Sequence, residues 1–139
     1  MQFVGDAVMA VFGAPFPQPD HADRAVAAAA GMHALQAGIN ADWAAQGLQP
    51  FGLGIGLSTG EVAAALLGSE ERLEYTLVGD TVNLSQRLQN LAAAGETVLS
   101  EATTRGLSVP ADTIALGSQL VKGRDTPINA YKLAPPAPR

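Results

Sequence analysis

The 139-residue chain has no cysteine, which excludes a disulfide framework and any thiolate metal site. Charge is sparse: 15% of residues are Asp, Glu, Lys or Arg, with eight basic against thirteen acidic. A net charge of −5 and the lack of strands that interleave aromatic with basic residues argue against a nucleic-acid partner. The two histidines, His21 and His33, have no metal-ligand companions at useful spacing. No Ser-His-Asp, zinc or dinucleotide-loop pattern occurs. The first fifteen residues are apolar but contain Asp6, lack a basic start, and are broken by Gly5, Gly13 and Pro15, unlike a signal peptide. The alanine-rich run from Ala22 to Ala37 carries Asp23, Arg24, His33 and Gln36, so it reads as a helix too polar and short to cross a bilayer. The 47% hydrophobic content is enough for one domain with a packed core. A soluble, cytoplasmic domain with no membrane segment is the expectation.

Along the chain, Met1–Val4 and Ala7–Phe12 read as a β-hairpin around the turn dipeptide Gly5-Asp6. Opening a domain with a hairpin tip at residue 6 resembles the middle of a sheet. Pro15, Pro17 and Pro19 mark a loop. Asp20 then stands as an N-cap, with Asp23 also in a capping role, for a helix to about Ile39 whose buried stripe is Ala22, Ala25, Val26, Ala29 and Met32. Phe51, Leu53, Ile55 and Leu57 alternate with Gly52, Gly54 and Gly56, a strand with one bulky face and one bare face that another backbone can approach. Ser58-Thr59-Gly60 is a turn, followed by strands at Glu61–Leu67 and Tyr75–Val78. Asp80 is expected to cap a helix to about Ala93 with Leu84, Leu88 and Leu91 inward. A strand at Thr97–Leu99, a short helix at Glu101–Gly106, and strands at Ile114–Leu116 and Ala130–Leu133 complete the order β-β-α-β-β-β-α-β-α-β-β. That order predicts an α+β domain over residues 1–133, a mixed or antiparallel sheet with helices packed on it, and a proline-rich tail at 134–139.

Three places can carry chemistry. Asp6 puts a carboxylate on a tight turn, able to hold a hard cation that fills its shell with water and phosphate oxygens, although Gly-Asp turns are common without any ligand. Asn83 and Arg87 lie four apart on one helix face, roughly opposite the leucines, where an amide and a guanidinium can hold a sugar and a polyphosphate. A solvated helix face explains the same pair equally well. Lys122, in the glycine turn Val121-Lys122-Gly123-Arg124, suits a terminal phosphate and is also an ordinary turn lysine.

Together the stretches VGDAVMAVFGAP (Val4–Pro15), DHADRAVAAA (Asp20–Ala29), GLGIGLSTGEV (Gly52–Val62), EYTLVGDTVNLSQRL (Glu74–Leu88) and LVKGRDTPINAYKL (Leu120–Leu133) resemble the class III adenylyl/guanylyl cyclase catalytic domain of bacterial type. They occur in the family's order and cover nearly all of Met1–Leu133. The resemblance implies a ferredoxin-like fold working as a homodimer with sites at the interface. It implies that Asp6 is the second of two metal-binding aspartates for Mg²⁺ or Mn²⁺, that Asn83 orients the ribose, that Arg87 stabilises the transferring phosphoryl group, and that Lys122 meets the terminal phosphates. The reaction implied is attack of the ribose 3′ oxygen on the α-phosphate of ATP, giving 3′,5′-cyclic AMP and pyrophosphate.

The chain departs from the family pattern in two places. The family's opening strand, with the first metal aspartate and the phosphate-holding loop, is not in this sequence, so an N-terminally truncated version of the fold is expected. Four residues before Asp6, where adenylyl cyclases carry Lys, stands Gln2, and the paired base-reading position is Thr76. Both can hydrogen-bond a purine edge; relatives with Thr there are similar to ATP users, so ATP is favoured and GTP stays open. Against this enzyme stand a non-catalytic cyclase-like dimerisation or regulatory module and an unrelated ferredoxin-like RNA binder, the latter opposed by the acidic balance.

Overall fold

The computed structural model describes residues 2–4, 7–13, 18–60, 63–69, 72–108, 111–119 and 128–133. The strands are β1 (Gln2–Val4), β2 (Ala7–Met9), β3 (Ile55–Leu57), β4 (Ala63–Ser69), β5 (Arg72–Val78), β6 (Thr97–Ser100), β7 (Thr113–Gln119) and β8 (Ile128–Leu133). The helices are α1 (His21–Ala45), α2 (Asp80–Leu91) and α3 (Glu101–Arg105), and the element order is the expected one. A four-stranded sheet runs β3-β6-β8-β7, with β3 parallel to β6 and the other pairs antiparallel. The β1–β2 and β4–β5 hairpins form separate two-stranded ladders.

The core lies where α2 meets this sheet. Leu84 and Leu88 pack with Val98 of β6 and Ala130 of β8, flanked by Leu91, Ala92 and Leu116. Every residue of β6 is buried, as befits a strand with neighbours on both edges. The bare glycine face lets the helix come this close: a Cβ on Gly56 would overlap the backbone nitrogen of Gln89 and the carbonyl oxygen of Ser85. One on Gly54 would sit 2.9 Å from the Ala92 carbonyl oxygen. The regular strand is shorter than the alternation predicts, because residues 51–54 find other partners. Asn40 donates to the Phe51 carbonyl (2.8 Å) and accepts from its N–H (3.2 Å), and Gly95 N–H donates to Leu53 O at 2.8 Å.

Helix α1 corrects several expectations. It runs six residues past Ile39, to Ala45, where Trp43 stacks at a tilt on Phe51 with centroids 5.2 Å apart. Asp20 holds the N-cap position, but its carboxylate accepts from Arg24 Nε at 2.9 Å instead of capping the helix. Asp23 does not cap either; it accepts from the N–H (3.0 Å) and hydroxyl (2.5 Å) of Ser108, tying α1 to the segment after α3. Ala22 and Ala29 of the expected stripe are buried, whereas Met32 is 45% exposed. Beyond it the helix turns polar residues inward: His33 and Asn40 are half-buried while Leu35 is 71% exposed. The inward groups meet other segments of the chain, His33 Nε2 lying 3.2 Å from Glu96 O, which also accepts from the Ile55 N–H, and 3.0 Å from Thr97 Oγ1. His33 is therefore a helix-to-sheet tie.

Two glycines test the packing account. Gly56→Ala is expected to cost about 1–3 kcal/mol through forced backbone shifts. Gly38→Ala, on α1 with nothing within 4 Å of its added Cβ, is expected to gain up to about 1 kcal/mol. Urea unfolding of both variants reads the difference in sign.

Acid sensitivity follows from two carboxylates. Hydrogen bonds from the Ser108 hydroxyl and then its N–H hold Asp23 below the usual carboxylate range. The Lys132 ammonium (2.9 Å) and then the Ala93 N–H do the same for Glu96. Their stabilisation is present above the unfolded carboxylate pKa and fades as pH falls through the lowered folded values. Unfolding measured from about pH 5 downward should show a shallower loss of stability in Asp23→Asn/Glu96→Gln than in the parent chain.

Candidate functional site

Strand β5 leads into α2 through Gly79, whose φ of 134° and ψ of 172° belong to a region essentially restricted to glycine. Gly79 occupies the N-cap and Asp80 is the first helical residue, one place later than the expected cap. A carboxylate there still complements the positive end of the helix dipole. The first turn is held from behind. The Ser58 hydroxyl donates to the Thr81 carbonyl oxygen at 2.5 Å, and Thr81 is buried. Leu84 and Leu88, 3% and 0% exposed, fix the helix rotation.

That rotation leaves Asn83 and Arg87 exposed on one flank. At 3.6 residues per turn they stand about 40° apart and about a quarter turn from the leucine row, on its side rather than opposite it. Arg87 has no acidic partner among the described residues, whereas Arg24 pairs with Asp20 at 2.9 Å and Arg105 with Glu101 at 2.5 Å. A guanidinium with its donors uncommitted, one turn beyond a carboxamide, is equipped to take an anionic, multidentate ligand.

The remaining candidates are placed less fully. Thr76 lies on β5 opposite Ala65, three residues before Gly79, and Gln2 lies on β1 opposite Met9; the side chains of both fall outside the described residues. Asp6 and Lys122 themselves lie outside the described residues, as does the tail at 134–139, although the strands flanking Asp6 pair with Val4 opposite Ala7. No group of three His, Cys, Asp or Glu among the described residues could hold a metal ion, so those residues do not by themselves fit a divalent-cation site. A cavity of about 250 Å³ between α1 and residues 52–53 and 94–95 includes neither Asn83 nor Arg87 and is smaller than usual ligand pockets. What sequence reasoning missed is Ser58, read as a turn residue; its placement directly after a strand packed on α2 was the available signal.

The family described as the adenylate and guanylate cyclase catalytic domain matches residues 1–134. The chain belongs to this family. It is 33% identical over 135 residues to adenylate cyclase 1 of Rhizobium meliloti, covering 96% of this chain and 20% of that protein. It therefore spans about a fifth of the length of that cyclase. Among solved structures, the guanylyl cyclase Cya2 superposes with a TM-score of 0.88 at 34% identity, over 96% of this chain and 68% of that one. The adenylyl cyclase CyaB from P. aeruginosa superposes with a TM-score of 0.87 at 31% identity, over 96% and 70%. The α+β architecture is thus the class III cyclase fold. Similarity to both adenylyl and guanylyl cyclases gives nucleotide cyclase chemistry as the family's activity and leaves the base undecided.

If Asn83 and Arg87 serve a ligand and not the fold, Asn83→Ala and Arg87→Ala should change stability by no more than about 0.5 kcal/mol. Leu88→Ala on the same helix should cost about 2–5 kcal/mol. Denaturant unfolding of the three variants makes the comparison.

Proposed function

We propose that this domain converts ATP to 3′,5′-cyclic AMP and pyrophosphate, with Asn83 and Arg87 as its catalytic pair. The observation that carries the reading is the uncommitted Arg87 guanidinium beside Asn83, on the exposed flank of a helix immobilised by Gly56, Leu88 and Ser58. The 3′ oxygen of the ribose attacks the α-phosphorus, the bond to the pyrophosphate oxygen breaks, and the 3′ hydroxyl proton is released. The Asn83 carboxamide hydrogen-bonds the ribose and fixes the line of attack, a positioning gain. Charge grows on the phosphoryl oxygens and the leaving pyrophosphate at the transition state, where the forked Arg87 donors strengthen their contacts.

Lys122 is assigned to the terminal phosphates, Gln2 and Thr76 to the purine edge, and Asp6 to a Mg²⁺ or Mn²⁺ ion. The ion supplies neutralisation of phosphate charge when bound. ATP is preferred because Thr76 stands where ATP-using relatives carry Thr. GTP is the second reading, favoured by the 34% identity to the guanylyl cyclase Cya2. Two copies of the chain are assigned to the working unit, with the site at their interface. The β4–β5 hairpin supports this, since a two-stranded ladder outside the main sheet is marginal without further cover. No helix among the described residues is long and apolar enough to cross a membrane. A cytoplasmic place for the domain is part of this proposal.

A chain extended by the family's opening strand with its first metal aspartate, given Mn²⁺ and either ATP or GTP, should form cyclic nucleotide and pyrophosphate, faster from ATP; the chain by itself carries one aspartate of that pair, Asp6, and is expected to turn over weakly or not at all. Arg87→Ala should lower kcat by about 10²–10³-fold with a much smaller rise in KM. An extended chain that binds nucleotide without forming product would be a binding module. A folded Arg87→Ala variant with unchanged kcat would remove Arg87 from the mechanism.

A further inference from the structure

We propose that Ser58 is a positioning residue that sets the placement of Asn83 and Arg87 from behind α2; this rests on the reading of those two residues as nucleotide contacts. The first turn of α2 starts at a glycine in an unusual conformation and has no side-chain cap at its N-cap. The Ser58 hydroxyl, half-buried, crosses to this turn and donates to the Thr81 carbonyl oxygen at 2.5 Å. That carbonyl lies two residues before Asn83, so the bond acts on the backbone that carries the carboxamide.

Ser58 is itself held on both sides. On its N-terminal side the Leu57 carbonyl accepts from the Thr103 hydroxyl at 3.3 Å, and on its C-terminal side Thr59 Oγ1 lies 2.8 Å from Thr103 Oγ1. Thr103 is 1% exposed and also bonded to Ser100 Oγ at 3.0 Å, so it is a fixed point in the α3 region. Gly60 completes the fit, since a Cβ there would come within 2.6 Å of Thr81 Oγ1. Thr103 therefore anchors the backbone on both sides of Ser58, and the Ser58 hydroxyl ties that anchored segment to the first turn of α2. Removing the Ser58 hydroxyl breaks this tie and leaves the core under Leu84 and Leu88 intact.

Calorimetric titration of the full chain with MgCl₂ and ATP tests this. Ser58→Ala is expected to weaken ATP binding by about 3–10-fold, the worth of one net hydrogen bond, while Ser58→Thr keeps the affinity. In an Asn83→Ala/Arg87→Ala background, Ser58→Ala should cause no further loss, because it acts through those side chains. Amide exchange over residues 80–85 should quicken in Ser58→Ala alone. Parent-level affinity in Ser58→Ala, or an equal further loss in the double-alanine background, would overturn the positioning role. A parent chain that binds no ATP would overturn the nucleotide reading itself and this role with it. Binding that depends on Arg87 but not on Ser58 would overturn this role alone.

Discussion

The domain depends on one close contact, that of β3 with α2 at Gly56. A helix normally meets a sheet through a layer of side chains, which holds its axis well clear of the strand backbone. Here the position of a β-carbon on Gly56 is filled by the backbone of Ser85 and Gln89. That proximity lets Leu84 and Leu88 reach Val98 and Ala130 beyond β3. Together with the buried Leu84 and Leu88 it sets the rotation and height of α2, on whose exposed flank Asn83 and Arg87 lie.

The same economy governs charge. In a chain with eight basic residues, two of the described arginines are spent on local pairs within their own helix or cap, Arg24 with Asp20 and Arg105 with Glu101. Such exposed pairs contribute little to stability. Arg87 stands apart because no described carboxylate neutralises it. An exposed guanidinium costs the fold little while it stays hydrated, and its donors remain available to a ligand carrying several anionic oxygens. The membership of the family gives that availability a chemical meaning, and the helix geometry explains how two side chains four residues apart can serve sugar and phosphate together.

Much of this was legible in the sequence. The strict alternation of glycine with large residues at 51–57 announced a bare strand face, and the approaching backbone is α2. The leucine spacing on α2 and the order of all eleven elements were equally readable. Capping and the length of α1 were not. Asp20, Asp23 and Asp80 all suit an N-cap by local chemistry, yet Arg24, Ser108 and the Gly79 turn redirect each of them, and those partners are set by tertiary placement. The inward row of His33 and Asn40 defeats a hydrophobicity pattern for a related reason: their partners, Glu96 O with the Thr97 hydroxyl and the Phe51 backbone, lie on other segments and are invisible to periodicity. Ser58 was hidden among turn residues because its partner is 23 residues away.

The central claim is that Arg87 is kept free for a nucleotide. Nitrogen-15 spectra of the arginine Nε–H groups, recorded while Mg·ATP is added to the full chain, address it directly. The account expects the Arg87 resonance to move and saturate with ATP while those of Arg24 and Arg105 hold still. An Arg87 signal that moves no more than those of the two paired arginines would contradict it.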